Sequence, residues 1–502
     1  MRLVCLLSLY ACGPKAIDTD IVDTDTDSEP IDTATETDTD TDTDSDADSD
    51  SDADADGIPS PTTLKDVVTR FDGIQGFGLA GTALASLPDT DGDGDDEWLV
   101  GCPNLDNDVG GAISSGGLYL MAGGTVGSHL LDEARAIILG ENNDDHLGNA
   151  VAAADLDGDG ASEFVIAASK FGKVGLGDPG ALYLFPGTVS GEHAATEAQT
   201  RVYGENDGDE FGASLATGDV GDDARLELIV GAPAYNVDDV VTDAGIVYVF
   251  AQPLPSLGFV SAAGGTITGL VSDRLGEAMV VVGDMLGDGV GDLLVGDDGR
   301  GFSLEGEALI FDGPLTGIAI TALEANRIWT GVATADGAGH SVAAAGDADG
   351  DGLSDAWVGV PGSAGAAGEA VLIGGAQEAG SVDTALARLK GGTLDSAGTS
   401  VAGNADINGD GTLDVVVGGL TEETGGVLAG ATWVVWGPFE GVIQLTTDAW
   451  MFYGETEGDQ AGNAVAMGQM DGDGIADAMT AASGRDRGAS DVGAVYLLPL
   501  AP

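Results

Sequence analysis

From residue 77 onward the chain repeats itself, and that repeat constrains the fold more than any other feature. The marker is an Asp-rich loop that begins at Asp89, Asp155, Asp219, Asp284, Asp347, Asp406 and Gln469. The spacings are 66, 64, 65, 63, 59 and 63 residues. A repeat of this length is one supersecondary unit that cannot bury its own apolar face, so neighbouring units must stack on one another.

Every unit keeps the same internal order. A Gly precedes a small-apolar run, as in LGNAVAAAD (147–155), FGASLATGD (211–219) and AGTSVAGNAD (397–406). The Asp loop follows, then a strand ending in small residues, such as WLVGCP (98–103) or LIVGAP (228–233). A third strand carries aromatics, as in ALYLFPG (181–187), and a fourth closes most units, as in AIILGE (136–141). Four short strands per unit, with turn residues between them and no helical periodicity, predict an all-β, seven-bladed β-propeller of four-stranded blades. A solenoid would need atypical capping units at both ends, and none is visible.

The ends of the repeat predict how the ring closes. The last unit stops after its third strand at Pro499, while residues 64–74, LKDVVTRFDGI, precede the first unit without a partner. An N-terminal strand closing the last blade removes the exposed sheet edge.

The Asp loops have the spacing of short calcium-binding hairpins. The complete ones are Asp89, Asp91, Asp93, Asp95 and Glu97; Asp155, Asp157, Asp159, Ala161 and Glu163; Asp347, Asp349, Asp351, Leu353 and Asp355; and Asp406, Asn408, Asp410, Thr412 and Asp414. Oxygens at positions 1, 3, 5 and 9, with the carbonyl at position 7, make a Ca2+ shell, and the Gly at position 6 permits the sharp turn. An EF-hand would need a Glu at position 12, where Val100, Ile166, Val358 and Val417 stand. The loop at 219 lacks the position-3 acid and position-6 Gly, and Leu286 replaces the position-3 acid of the loop at 284. The loop at 469 begins with Gln but keeps Asp471, Asp473 and Asp477 as candidate ligands. Four bound ions are expected, the seventh loop being a weaker candidate, and their expected role is structural.

Charge narrows the partners. The formal net charge is −70, from 86 acids against 16 bases, so the surface repels phosphate backbones and no nucleic-acid partner is expected. Residues 1–12, MRLVCLLSLYAC, read as a lipoprotein-type signal peptide with an acylated Cys12, because Leu3–Leu9 is too short to span a bilayer. Residues 13–60 form a linker rich in Asp, Thr and Ser; 18 of the 39 residues in 18–56 are acidic and none is basic. Such a stretch cannot offset its ordering entropy and is expected to act as an extended spacer. Residues 61–502 are the propeller. Removal of the signal leaves Cys102 unpaired, and it reads as a small buried hydrophobe.

Catalytic constellations are missing. The four His form no metal-binding pair. The Gly339-His340-Ser341 sequence is like a nucleophile elbow but falls in the first-strand pattern shared by the units, with no helix to follow it. The chain is therefore expected to be no enzyme.

Phe211-Gly212, with Leu147-Gly148, Leu275-Gly276 and Ala461-Gly462, together with Gly231-Ala232-Pro233 and the four Asp loops, resembles the FG-GAP repeat of integrin α-subunit propellers and bacterial surface proteins. The resemblance covers residues 64–499. It implies calcium loops on one face of a disc and partners on the other. The function expected is a calcium-stabilised, lipid-anchored adhesion propeller, monomeric, on the outer membrane or surface of a bacterium, that presents loops to protein partners. A glycan ligand is the alternative, for which Trp433, Trp436, Trp450 and Tyr453 would have to be exposed. A hydrolase site assembled from several blades ranks below both.

Overall fold

The computed structural model describes residues 60–107, 111–172, 177–221, 223–238, 241–254, 256–299, 304–487 and 490–500. The signal peptide, Cys12 and all but the last residue of the linker lie outside these.

Runs of small and β-branched residues between turn-forming Gly and Asp fold into strands, and among the described residues these form seven sheets. Blade 2 shows the plan. Its inner strand Leu147–Ala154 pairs with Glu163–Ala168, then Ala181–Pro186, then Thr200–Tyr203, each antiparallel to the last. The innermost strands of consecutive blades are neighbours around the ring, and the first, Ala83–Leu87, neighbours the last, Ala461–Gly468. The ring is closed.

Closure follows the expected exchange. Thr69–Asp72 is the outer strand of blade 7, with Thr69 opposite Leu497 and Asp72 opposite Ala494. The same segment does more than the sequence suggests, because Thr62–Thr63 also pairs in parallel with the outer strand of blade 6, Trp450–Tyr453.

Each four-stranded blade gains a fifth, short strand. In blade 1 it is Gly191–Ala194, which arrives from the connection before the outer strand of blade 2 and pairs in parallel with Ala136–Leu139. A single 3-10 turn, Ala195–Glu197, then carries the chain into blade 2's own outer strand. The arrangement recurs in every sheet and covers outer-edge backbone groups that would otherwise be unpaired. Among the described residues the α-helical segments are two single turns, Ser363–Ala366 and Leu445–Asp448.

The core lies between blades. Leu99, Leu118 and Ile138 of blade 1 pack on Phe164, Ile166 and Tyr183 of blade 2. Trp357 of blade 5 packs with Trp433 of blade 6. The second strand is the most apolar because neighbours cover both of its faces; Trp98, Leu99 and Val100 are fully buried. Cys102 is buried there as expected, and desolvation pushes its thiol far above the usual range.

The paired Gly motifs are the two sides of one blade–blade contact. Gly276 opens the inner strand of blade 4 with φ +96°, a conformation that side chains disfavour. Its carbonyl lies so close to Gly231 of blade 3 that a Cβ there would be 2.0 Å from the oxygen. Ser214 Oγ donates to the same carbonyl at 2.6 Å. Equivalent bonds run from Ser341 Oγ to Gly398 O and from Ser400 Oγ to Gly462 O, both at 2.8 Å. Asn149 Nδ2 donates to Gly212 O, and Asn463 Nδ2 to Gly81 O, both at 3.0 Å. Ser341 is thus a stitch between blades 5 and 6.

Candidate metal loops and the opposite face

Each Asp loop joins an inner strand to the second strand of its blade, so all seven open on one face. Their shape comes from carboxylates that accept backbone N–H groups. In loop 2, Asp155 accepts from Gly158 N at 2.7 Å and Gly160 N at 3.0 Å. Asp157 accepts from Asp159 N at 3.1 Å, and Asp159 accepts from Ala161 N at 2.8 Å. Glu163, the first residue of the second strand, reaches back to Leu156 N at 2.9 Å.

That last bond occurs in all seven loops. The position-9 acid accepts the N–H of position 2 in the pairs Glu97–Thr90, Glu163–Leu156, Glu227–Val220, Asp292–Met285, Asp355–Ala348, Asp414–Ile407 and Asp477–Met470. Loops 3 and 4 keep it although both lack the acid at position 3. The position-9 acid therefore closes the hairpin whether or not an ion is held. Six of these acids are buried and Asp477 is half-buried, and desolvation pushes Glu163 up to about 7 and Asp292, Asp355, Asp414 and Asp477 up to about 6, against the opposing pull of the backbone bonds.

The predicted ligands come together to different degrees. Oxygens of three side chains lie within 4.8 Å of one another in loop 1 (Asp89, Asp91, Glu97), loop 2 (Asp155, Asp157, Glu163) and loop 5 (Asp347, Asp349, Asp351). Asp93, Asp95, Asp159 and Asp355 stand outside those trios. In loop 5, Asp355 spends its oxygens on Ala348 N, Asp349 N and Gly375 N. Loop 6 has a neutral Asn408 at position 3, but Asp406 and Asp410 hold the bonds of loop 2, including Thr412 N on Asp410 at 2.8 Å. In loop 7 Asp471 and Asp473 accept from Asp473 N and Ile475 N, and the Gln469 amide, oriented by its neighbours so that its oxygen faces Gly474 N, accepts from that N–H at 3.0 Å. Gln469 thus keeps the turn without supplying charge. A convergent trio of carboxylates fits a hard cation with oxygen ligands. Among the described residues no basic side chain is ion-paired with the acids of loops 2, 5 or 6. Loop 1 differs, because Arg135 reaches Asp91 and Glu97.

The other face is built from the connections that enter each inner strand and those between second and third strands. Here sequence reasoning missed a second acidic repeat, Asp-x-(Leu/Phe/Ala)-Gly, at Asp145, Asp209, Asp273, Asp336, Asp395 and Asp459. All six are buried. They brace the turn: Asp145 accepts from Asn142 N at 2.8 Å, Asp395 from Gly392 N at 2.6 Å and Asp459 from Thr456 N at 2.8 Å. The signal was present three residues before each motif Gly.

This face also collects exposed apolar groups. Ten of the sixteen exposed large apolar side chains among the described residues lie on it: Ile74, Phe77, Ile113, Val237, Val271, Leu304, Val332, Leu394, Val427 and Leu428. Phe77 is 64 % exposed and Ile113 63 %. Phe77, Leu304, Leu394 and Leu428 also have φ between 57° and 68°. The left-handed region costs a bulky residue about 1–2 kcal/mol, and exposed apolar side chains held in strained turns are a mark of binding surfaces. The aromatics named for a glycan behave otherwise. Trp433 is fully buried, and Trp436 and Trp450 meet edge to face at 5.5 Å, half-buried against the core between blades 6 and 7.

Comparison with known proteins agrees with the repeat. Residues 147–185 and 211–250 match the FG-GAP repeat family, spanning the first three strands of blades 2 and 3. The integrin alpha pat-2 of Caenorhabditis briggsae is 30 % identical over 237 residues, 44 % of this chain and 18 % of that protein. Integrin alpha-IIb of Mus musculus is 34 % identical over 167 residues, 32 % of this chain and 16 % of that protein. A phosphatidylinositol-glycan-specific phospholipase D of Bos taurus is 28 % identical over 158 residues, 30 % of this chain and 18 % of that protein. The chain thus spans less than a fifth of the length of each of these relatives. It carries FG-GAP repeats on an integrin-α-like propeller.

Proposed function

We propose that this FG-GAP-repeat propeller is a calcium-stabilised binding protein of the bacterial cell surface that presents the face opposite its Asp loops to protein partners. The observation that carries the reading is the gathering of exposed, strained apolar residues on that face, Phe77, Leu304, Leu394 and Leu428 among them. Similarity to integrin α chains supports a protein as the ligand class. The burial of Trp433 argues against a glycan platform in blade 6, and the bond from Ser341 to Gly398 argues against a nucleophile there.

Calcium in this reading is held by Asp155, Asp157, Asp159, the Ala161 carbonyl and Glu163 in loop 2, and by Asp347, Asp349, Asp351, the Leu353 carbonyl and Asp355 in loop 5. Loop 6 offers Asp406, Asn408, Asp410, the Thr412 carbonyl and Asp414. Loop 7, with Asp471, Asp473 and Asp477, is the weaker site. A bound ion would neutralise carboxylates that otherwise repel one another across the hairpin. Cys12 would carry the lipid and residues 13–60 the spacer, with the propeller acting as a monomer. Among the described residues no helix is long and apolar enough to cross a membrane.

The test is binding of the purified chain to an array of cell-surface and matrix proteins, with and without Leu394→Asp and Ile113→Asp. Ligands that lose at least about tenfold in affinity with these variants support the reading, since buried apolar anchors dominate interface energy. Ligands indifferent to both variants would place the binding surface elsewhere.

A further inference from the structure

Arg135 stands just before the outer strand of blade 1, Ala136–Leu139, and its guanidinium reaches loop 1. One guanidinium nitrogen, Nη1, donates to Asp91 Oδ2 at 3.2 Å and to Glu97 Oε1. The other, Nη2, donates to Thr90 Oγ1 at 2.9 Å and to the carbonyl of Gly187 in blade 2. The remaining oxygen of Glu97 accepts from Thr90 N at 3.1 Å. Two of the three acids that converge in this loop are thus already paired with a cation, and both oxygens of Glu97 are engaged. The Arg135 side chain is 15 % exposed and that of Glu97 1 %, so water screens the pair little.

Arg327 of blade 4 reaches the equivalent Gly375 carbonyl of blade 5, but among the described residues no arginine of another unit pairs with the acids of its Asp loop from this position. The positions equivalent to Arg135 are Gln199, Gly264, Asn326, Leu386, Ala449 and Val68. Loop 1 is in other respects a complete loop, with the same Asp89 bonds to Gly92 N and Gly94 N that Asp155 makes in loop 2. What differs is one built-in positive charge among the ligand oxygens.

We propose that loop 1 is closed by the guanidinium of Arg135 in place of a divalent ion, so that the chain's calcium set begins at loop 2. A divalent ion in loop 1 would have to share Asp91 and Glu97 with a guanidinium, and two cations against the same carboxylates repel one another in a partly desolvated site. The same arginine fastens loop 1 to Gly187, so blades 1 and 2 are clamped by the protein's own cation. The inference rests on the calcium reading given above for the other loops, and its test separates the two.

The test counts tightly bound calcium by equilibrium dialysis on the full chain, in the wild type and three variants. Arg135→Gln is expected to gain one site relative to wild type, with affinity at least about tenfold above anything loop 1 shows in the wild type. Asp91→Asn in the otherwise unchanged chain is expected to leave the number of sites as it was. Asp157→Asn in loop 2 is expected to lose one. An Arg135→Gln protein with no added site overturns the proposal, and so does loss of a site in Asp91→Asn, which remains informative if the arginine variant does not fold. Retention of all sites in Asp157→Asn counts against the calcium reading of loop 2 alone. The acidic spacer is common to all four chains, so its weak binding cancels in the differences.

Discussion

Asp72 and Arg485 are 413 residues apart in sequence and form a buried ion pair at the seam of the ring. Asp72 ends the N-terminal strand of blade 7, and Arg485 follows that blade's second strand. Glu455 accepts from Arg485 Nε and from the Tyr496 hydroxyl, both at 3.0 Å, and Arg487 Nε lies 3.1 Å from Asp72. In a chain with only 16 basic residues, Arg70, Arg485 and Arg487 are spent together where the two ends meet. The cluster offsets the cost of burying Asp72 and ties the first strand to the last blade.

Removing Asp72 leaves Arg485 held by Glu455 alone and costs the buried charge-assisted bond between them. Asp72→Ala is therefore expected to destabilise the propeller by about 1.5–3 kcal/mol, read from the denaturant midpoint. A change below about 1 kcal/mol would mean that the seam is held by strand pairing alone.

Calcium is expected to raise thermal stability. At ten times its dissociation constant an ion contributes about 1.4 kcal/mol per site, so loops 2, 5 and 6 together would contribute about 4 kcal/mol. A melt in millimolar calcium and then in chelator should show a clear fall in midpoint. Identical melts would reduce the Asp loops to solvated turns and leave the propeller unaffected.

The position-9 acids give a pH signature in chelator. Burial raises Asp292, Asp355, Asp414 and Asp477 to about 6 and Glu163 to about 7, so the folded chain binds more protons than the unfolded one above pH 4. Their contribution is present below the unfolded values and lost as pH rises through 6 to 7. The melting midpoint should fall between pH 4 and 7. Loop 4 lacks a position-3 acid, so Asp292→Asn should flatten part of that slope; an unchanged slope would assign it to overall charge repulsion.

Blade stitches should act independently of any binding activity. Ser341→Ala removes the donor to Gly398 O and is expected to cost about 0.5–1.5 kcal/mol in unfolding free energy. Asn463→Ala removes a bond to Gly81 O and another from Ser483 N, and should cost more. Equal, negligible costs would show that the close Gly contacts alone set the blade spacing.

The sequence alone determined the number of blades, the order of strands within each and the closing role of residues 64–74, because these follow from a repeat in register and from the chain's own arithmetic. It also located the acidic loops, since a tight hairpin needs its Gly and its carboxylates at fixed local spacings. The parallel fifth strands were not legible: segments such as Gly191–Ala194 have no strand periodicity and pair only because the next blade's edge lies alongside. The bracing Asp145 and its repeats were visible as residues but not as a role, because turn acceptors and metal ligands look alike in one dimension. Arg135 carries the same lesson. Its place in loop 1 depends on a side chain crossing 38 residues of sequence to Glu97, and only the packing of blade 1 against blade 2 brings that charge among those oxygens. Local spacing fixes which groups can form a loop, whereas the tertiary contact decides which cation meets them.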